Sequence, residues 1–117
     1  MIELIGLNGA NILVAPKTIF RIRQTSDSSG NVATKVDYTS GYIFTLEPIR
    51  DLLARLRGEI KLINLTTRSG TTVHLNVASI ARIREALPIN APGTEIVVGG
   101  QYQHVSESVE AVKALLA

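Results

Sequence analysis

Four arginines stand in two matching settings. Ile19-Phe20-Arg21-Ile22-Arg23 and Ile80-Ala81-Arg82-Ile83-Arg84 both read I-x-R-I-R. Alternate residues of a strand share a face, so Arg21 goes with Arg23 and Arg82 with Arg84. Guanidiniums paired in this way bind phosphate or carboxylate through two parallel hydrogen bonds. The competing reading is a solvated sheet face, with these arginines paired to neighbours such as Asp37 and Glu95. Tyr42 and Tyr102 also occupy matching settings. They are candidates for an exposed edge or interface, or for core packing.

Other residues offer less. His74 and His104 are the only histidines, and neither has a partner at the H-x-x-x-H or H-x-H spacing that a metal needs. They read as strand histidines, half-buried or at the surface. Glu47 and Glu107 match each other and suggest paired acid–base groups, but each precedes a helical pattern, where a carboxylate favours the positive end of the dipole. Gly93 and Gly99-Gly100 lack the Lys-Ser/Thr ending of a phosphate loop, so they read as turns. No G-x-S-x-G elbow is present. The chain has no cysteine, which excludes disulfides and thiolate metal sites. The expectation is a non-enzymatic protein with no catalytic residues, no metal and no cofactor. Its candidate partner- or anion-binding residues are Arg21, Arg23, Arg82, Arg84, Tyr42 and Tyr102.

The composition supports a folded chain. Of 117 residues, 45% are hydrophobic and 19% charged, which suits a packed core rather than disorder. Aromatics are only 4%, so that core must be aliphatic. The net charge of +2 is too small to argue a nucleic-acid partner by itself. No apolar run approaches the roughly 20 residues that cross a bilayer, and the amino terminus lacks the basic stretch of a signal peptide. The expected location is the cytoplasm or a virion assembled there.

The elements that must position these residues come in two series. Ile2 and Leu4 lead to an Asn8-Gly9 turn, a strong hairpin signal, and a strand follows through Ile12 and Val14 to Pro16. Ile19 opens a short turn that runs into a strand through Arg23. Residues 26–31 read as a loop. Val36 and Tyr38 lead to a turn at Ser40-Gly41, and residues 42–46 form another strand. From Pro48 the period becomes helical, with Ile49, Leu52, Leu53 and Leu56 on one face and Gly58 after the last turn. Setting Gly70 on Gly9 gives a shift of 70 − 9 = 61, which places Val73 on Ile12, Ile80 on Ile19 and Arg82 on Arg21. From the central loop onward the shift is 60, with Tyr102 on Tyr42, Glu107 on Glu47 and Leu116 on Leu56. Ser106 is the expected cap of the final helix.

The fold expected is therefore mainly β (β+α): a tandem duplication of a small antiparallel β-meander closed by a C-terminal helix. The halves would be 1–58 and 59–117. A unit of that size buries only about 60% of its unfolded surface, so the halves are expected to share a core in one pseudo-twofold domain.

The opening Met1-Ile2-Glu3-Leu4-Ile5-Gly6-Leu7-Asn8-Gly9 with I-x-R-I resembles the start of the short flagellar proteins of the FlbD type. In the second series, Leu75-Asn76, Ile80, Ile83, Thr94-Glu95-Ile96 and the run from Val105 to Val112 are similar to the rest of their pattern. Each half would cover one family member. The resemblance implies a small β-rich unit closed by a helix, and a non-enzymatic part of a larger machine.

Two function classes follow. One is a structural or assembly protein, a β module that self-associates or docks on a lattice, such as a head-decoration or joining component of a bacteriophage particle, or a flagellum-associated part. Strand edges that need covering motivate it. The other is a nucleic-acid or anionic-ligand module working through the arginine pairs, against which stands the lack of an aromatic stacking platform. The expected partners are the chain itself or a larger protein assembly, with no membrane.

Overall fold

Alternating burial builds the first hairpin. Strands β1 (Ile2–Ile5) and β2 (Asn11–Val14) pair antiparallel, with Ile2 opposite Val14 and Leu4 opposite Ile12. These residues face inward, while Leu13 on the other side of β2 is exposed. The structure is a computed structural model that describes residues 1–26 and 29–117. Of the loop expected at 26–31, Asp27 and Ser28 lie outside the described residues.

Pro16 fits the short 3-10 turn Pro16–Thr18, because its fixed φ suits a first helical position. That turn delivers the chain into β3 (Ile19–Ser26), then β4 (Val32–Tyr38), β5 (Gly41–Thr45) and helix α1 (Ile49–Leu56). Strands β6 (Leu62–Thr66) and β7 (Thr72–Asn76), a second 3-10 turn Val77–Ser79, and β8 (Ile80–Glu85) follow. After the 3-10 turn Pro88–Asn90 come β9 (Thr94–Val98), β10 (Gln101–Val105) and α2 (Val109–Leu116). The chain is thus mainly β, antiparallel throughout its named strand pairs, and ends in a helix. No helix among the described residues is long and apolar enough to cross a membrane.

The strands form sheets of two (β1-β2), three (β10-β9-β8) and five (β5-β4-β3-β7-β6). Both meanders carry a register shift at the same step of I-x-R-I-R, between Ile19 and Arg21 and between Ile80 and Arg82. Short contacts turn the corners between sheets. A bridge joins Gly6 to Thr45, and Ser106 donates its N–H to the Thr66 carbonyl at 2.8 Å. The hairpin β1-β2 therefore folds back beside β5, and β6-β7 beside β10. The whole runs as one bent ribbon in the order β2-β1-β5-β4-β3-β7-β6-β10-β9-β8. Its ends are β2 and β8, whose outer sides are unpaired among the described residues.

The core differs from the shared one expected. Ile2, Leu4, Val14, Ile19, Ile22, Val36, Ile43, Leu52 and Leu56 form one apolar cluster. Phe20, Ile63, Leu65, Val73, Leu75, Ile96, Val98, Val105 and Val112 form another. The reason lies in the β3–β7 register, which sets Ile22 opposite His74 and Arg21 opposite Leu75. Ile22 and Leu75 thus point to opposite faces of the five-stranded sheet, and so do the clusters they belong to. A closed twofold would also pair β8 with β2, but these strands sit in separate sheets. The pairing of β3 with β7 thus has no counterpart between β8 and β2 among the described residues.

Candidate functional site

The bulge in β3 sends Phe20 and Arg21 across the junction between the halves. Phe20 is buried in the second cluster. It lies against the β9–β10 turn at Gly99, where an added Cβ would stand 2.2 Å from the Phe20 Cγ and where φ is +58. Only a glycine leaves that ring its place. On the neighbouring face Arg21 donates from Nε to Asp37 Oδ2 at 2.8 Å. It also donates from NH1 to Gln103 Oε1 at 3.1 Å and from NH2 to Gln101 Oε1 at 2.6 Å. Asn76 adds a buried bond from Nδ2 to the Ile19 carbonyl at 2.8 Å.

Arg21 is therefore not the solvent-facing anion ligand that the sequence suggests. It is 8% exposed, and each of its three nitrogens donates to a protein oxygen. A buried guanidinium must be paired to tolerate the loss of water, and Asp37 with the two glutamines supplies that pairing.

The remaining arginines stay at the surface. Arg82 and Arg84 both reach Glu95 Oε1, at 3.1 and 2.9 Å. Glu95 and Arg23 line one recess of about 480 Å³, together with Arg68, Tyr102 and His104. Arg23 and Tyr102 thus share a recess with Glu95, the carboxylate that Arg82 and Arg84 pair with, while Arg21 is buried beside Gln103 of the same recess and Tyr42 stands elsewhere. Tyr42 is exposed, packs edge-on against Phe44 with centroids 5.5 Å apart, and has Lys35 Nζ 4.8 Å above its ring. Arg82→Ala should change stability by only about 0–1 kcal/mol, as expected for an exposed ion pair. Denaturant melts of this variant check that, and a loss of several kcal/mol would show Arg82 to be as deeply engaged as Arg21.

The carboxylates and histidines each make a structural bond, while Glu47 Oε2 and His104 Nδ1 are buried with no hydrogen-bond partner among the described residues. Glu107 accepts the Thr66 N–H on both oxygens, at 2.9 and 3.0 Å, and Glu47 pairs with Arg55. Their carboxylates fasten neighbouring elements instead of capping helices. The cap of α2 is Ser108, not Ser106: its side chain accepts the Ala111 N–H at 3.2 Å. His104 bonds through Nε2 to the Asn90 carbonyl at 3.0 Å.

His74 is more buried than expected, at 8% exposure, with Nδ1 2.7 Å from Asn64 Oδ1. Burial holds its pKa below the ordinary 6.5. The unfolded chain therefore binds this proton more readily than the folded one. Stability from this residue is complete above pH 6.5 and falls as the pH drops below it toward the lowered native value. Chemical denaturation over that range should show the decline, and His74→Gln should flatten it.

A recess of about 190 Å³ adjoins β2, lined by Ile12, Val14, Thr18, Tyr38, Thr39 and Ser40 among others. One of about 290 Å³ adjoins β8, lined by Val77, Ile80, Ala81, Arg82, Ile83 and Leu116. Both ends of the ribbon are thus unpaired and flanked by apolar side chains. The edges expected to need covering are those of β2 and β8, because β3 and β7 pair with each other. No family model matches this chain, and neither a curated protein nor a solved structure does.

Proposed function

We propose that this chain is a non-enzymatic structural protein that assembles with itself into a larger particle. The observation that carries the reading is the ribbon with two open ends. Unpaired strand edges are templates for further pairing. Here they are accompanied by exposed Ile5, Leu7 and Leu13 on the first hairpin. The candidate acid–base residues support a non-catalytic role, since Glu107, Glu47, His74 and His104 each make a bond that holds elements together. A tandem duplication accounts for the recurrence of the elements, with Pro16–Thr18 and Val77–Ser79 set 61 apart and the two helices 60 apart. The likeness to FlbD-type flagellar proteins fits such a part. So do the size and composition of a bacteriophage head-decoration or joining component, at work in the cytoplasm or in a virion.

Light scattering across a salt series tests the reading against the arginine-based alternative. Backbone pairing and apolar burial should keep the mass above that of the 12.6 kDa chain as salt rises from about 0.05 to about 0.5 M, a range that screens surface charges. A chain that stays single but binds DNA or RNA with steep salt dependence would replace assembly with the nucleic-acid function.

A further inference from the structure

The junction inside the chain is a template for a junction between chains. Strand β3 carries Arg21, Ile22 and Arg23 opposite Leu75, His74 and Val73 of β7. The counterparts of these strands at the offset of 61 are β8 and β2, the two free ends. We infer that β8 of one copy pairs antiparallel with β2 of the next, setting Arg82, Ile83 and Arg84 opposite Val14, Leu13 and Ile12. This rests on the assembly reading above and names its partner as a second copy in a fixed register.

The recess beside β2 carries the argument. Its walls Ile12, Val14, Thr18, Tyr38 and Thr39 correspond in place to Val73, Leu75, Ser79, Val98 and Gly99. Of these, Val73, Leu75 and Val98 share the cluster with Phe20, and Gly99 lies directly against its ring. The equivalence of Gly99 and Thr39 shows in their bonds: Gly99 donates its N–H to the Ser79 carbonyl at 3.0 Å, and Thr39 to the Thr18 carbonyl at 3.1 Å. The second half thus has its socket filled by Phe20, and the first half has the same socket empty. The residue at the Phe20 place on β8 is Ala81, and it is exposed. Sizes compensate across the two junctions. The large Phe20 meets Gly99 and Val98, whereas the small Ala81 would meet Thr39 and Tyr38, so a tighter socket receives a smaller knob.

The other face agrees. Leu13, which also borders the recess beside β2 at the strand edge, is 63% exposed. In the proposed register it faces Ile83, which is only half-buried and lines the apolar recess with Val77, Ile80 and Leu116. Pairing would cover both, as an aliphatic cross-strand pair should. Because the contact joins unlike surfaces, it leaves a free β2 at one end and a free β8 at the other. Repetition yields a ring or a filament.

The lack of cysteine allows a clean test. Directly opposed residues of antiparallel strands have Cα atoms about 4.5–5.5 Å apart, within disulfide reach. Leu13→Cys and Ile83→Cys proteins, mixed and mildly oxidised, should give a disulfide-linked mixed dimer, while each protein alone stays largely unlinked. A second variant, Ala81→Arg, changes an exposed residue and should abolish the larger species in light scattering while leaving the circular dichroism spectrum unchanged. If Leu13→Cys or Ile83→Cys links to itself as readily as to the other, the contact is symmetric and this register is wrong. If unmodified protein assembles, yet the mixed disulfide is missing and Ala81→Arg still assembles, the β8–β2 contact falls while the assembly reading stands. If the unmodified protein is a single chain at every concentration, both fall.

Discussion

Phe20→Ala should cost about 3–5 kcal/mol, the range for removing a buried phenylalanine from a packed core. Phe20 is 1% exposed and is the one member of the second cluster that the first half contributes. Its loss empties the socket against Gly99 and removes apolar packing where the halves join. The remaining ties include the three residue pairs between β3 and β7, the Asn76–Ile19 bond, the Arg21 network and the packing of Ile60 and Leu62 against the first cluster. Unfolding in denaturant, followed residue by residue by NMR, should show the second half losing more than the first. A loss below about 1 kcal/mol would mean that the ring is not packed as described.

Asp37→Ala should be of similar size, about 3–5 kcal/mol, because it strands a buried guanidinium without its carboxylate. The Arg21 side chain is only 10% exposed, and Lys35 Nζ lies 3.7 Å from the other Asp37 oxygen, so the substitution leaves two cations facing each other. Replacing Arg21 and Asp37 together by apolar residues of similar volume should recover much of the loss, since a buried pair exchanged for good packing is often neutral. A double-mutant cycle measures this. Equal losses for the single and double variants would mean that the two side chains do not depend on each other.

Much of the ribbon was legible in the residues. Alternation placed Ile2, Leu4, Ile12 and Val14 in one hairpin, and the helical stripe from Ile49 to Leu56 gave α1 its bounds. Local patterns of this kind report which face of an element is apolar. They do not report which element covers that face. The shared core expected from the size of each half is instead two clusters, because the β3–β7 register, a long-range choice, puts Ile22 and Leu75 on opposite faces.

The site was less legible for a related reason. Arg21 and Arg82 lie in the same five-residue pattern, but at the offset of 60 the place of Asp37 is taken by Val97. Only Arg21 therefore finds a buried carboxylate opposite, and Arg82 turns to Glu95 at the surface. The difference was written at positions 37 and 97, outside the pattern that drew attention. The same holds for Phe20 with Gly99 against Ala81 with Thr39. That exchange of large and small acquires meaning only when the turn at Gly99 is seen against the ring.

Sedimentation velocity on the unmodified protein over a wide concentration series tests the assembly reading most directly. The open-ended ribbon predicts species that grow with concentration in steps of the 12.6 kDa chain, with no preferred stop at two unless a ring closes. A single boundary at the mass of one chain, unchanged up to the highest concentration, would contradict it.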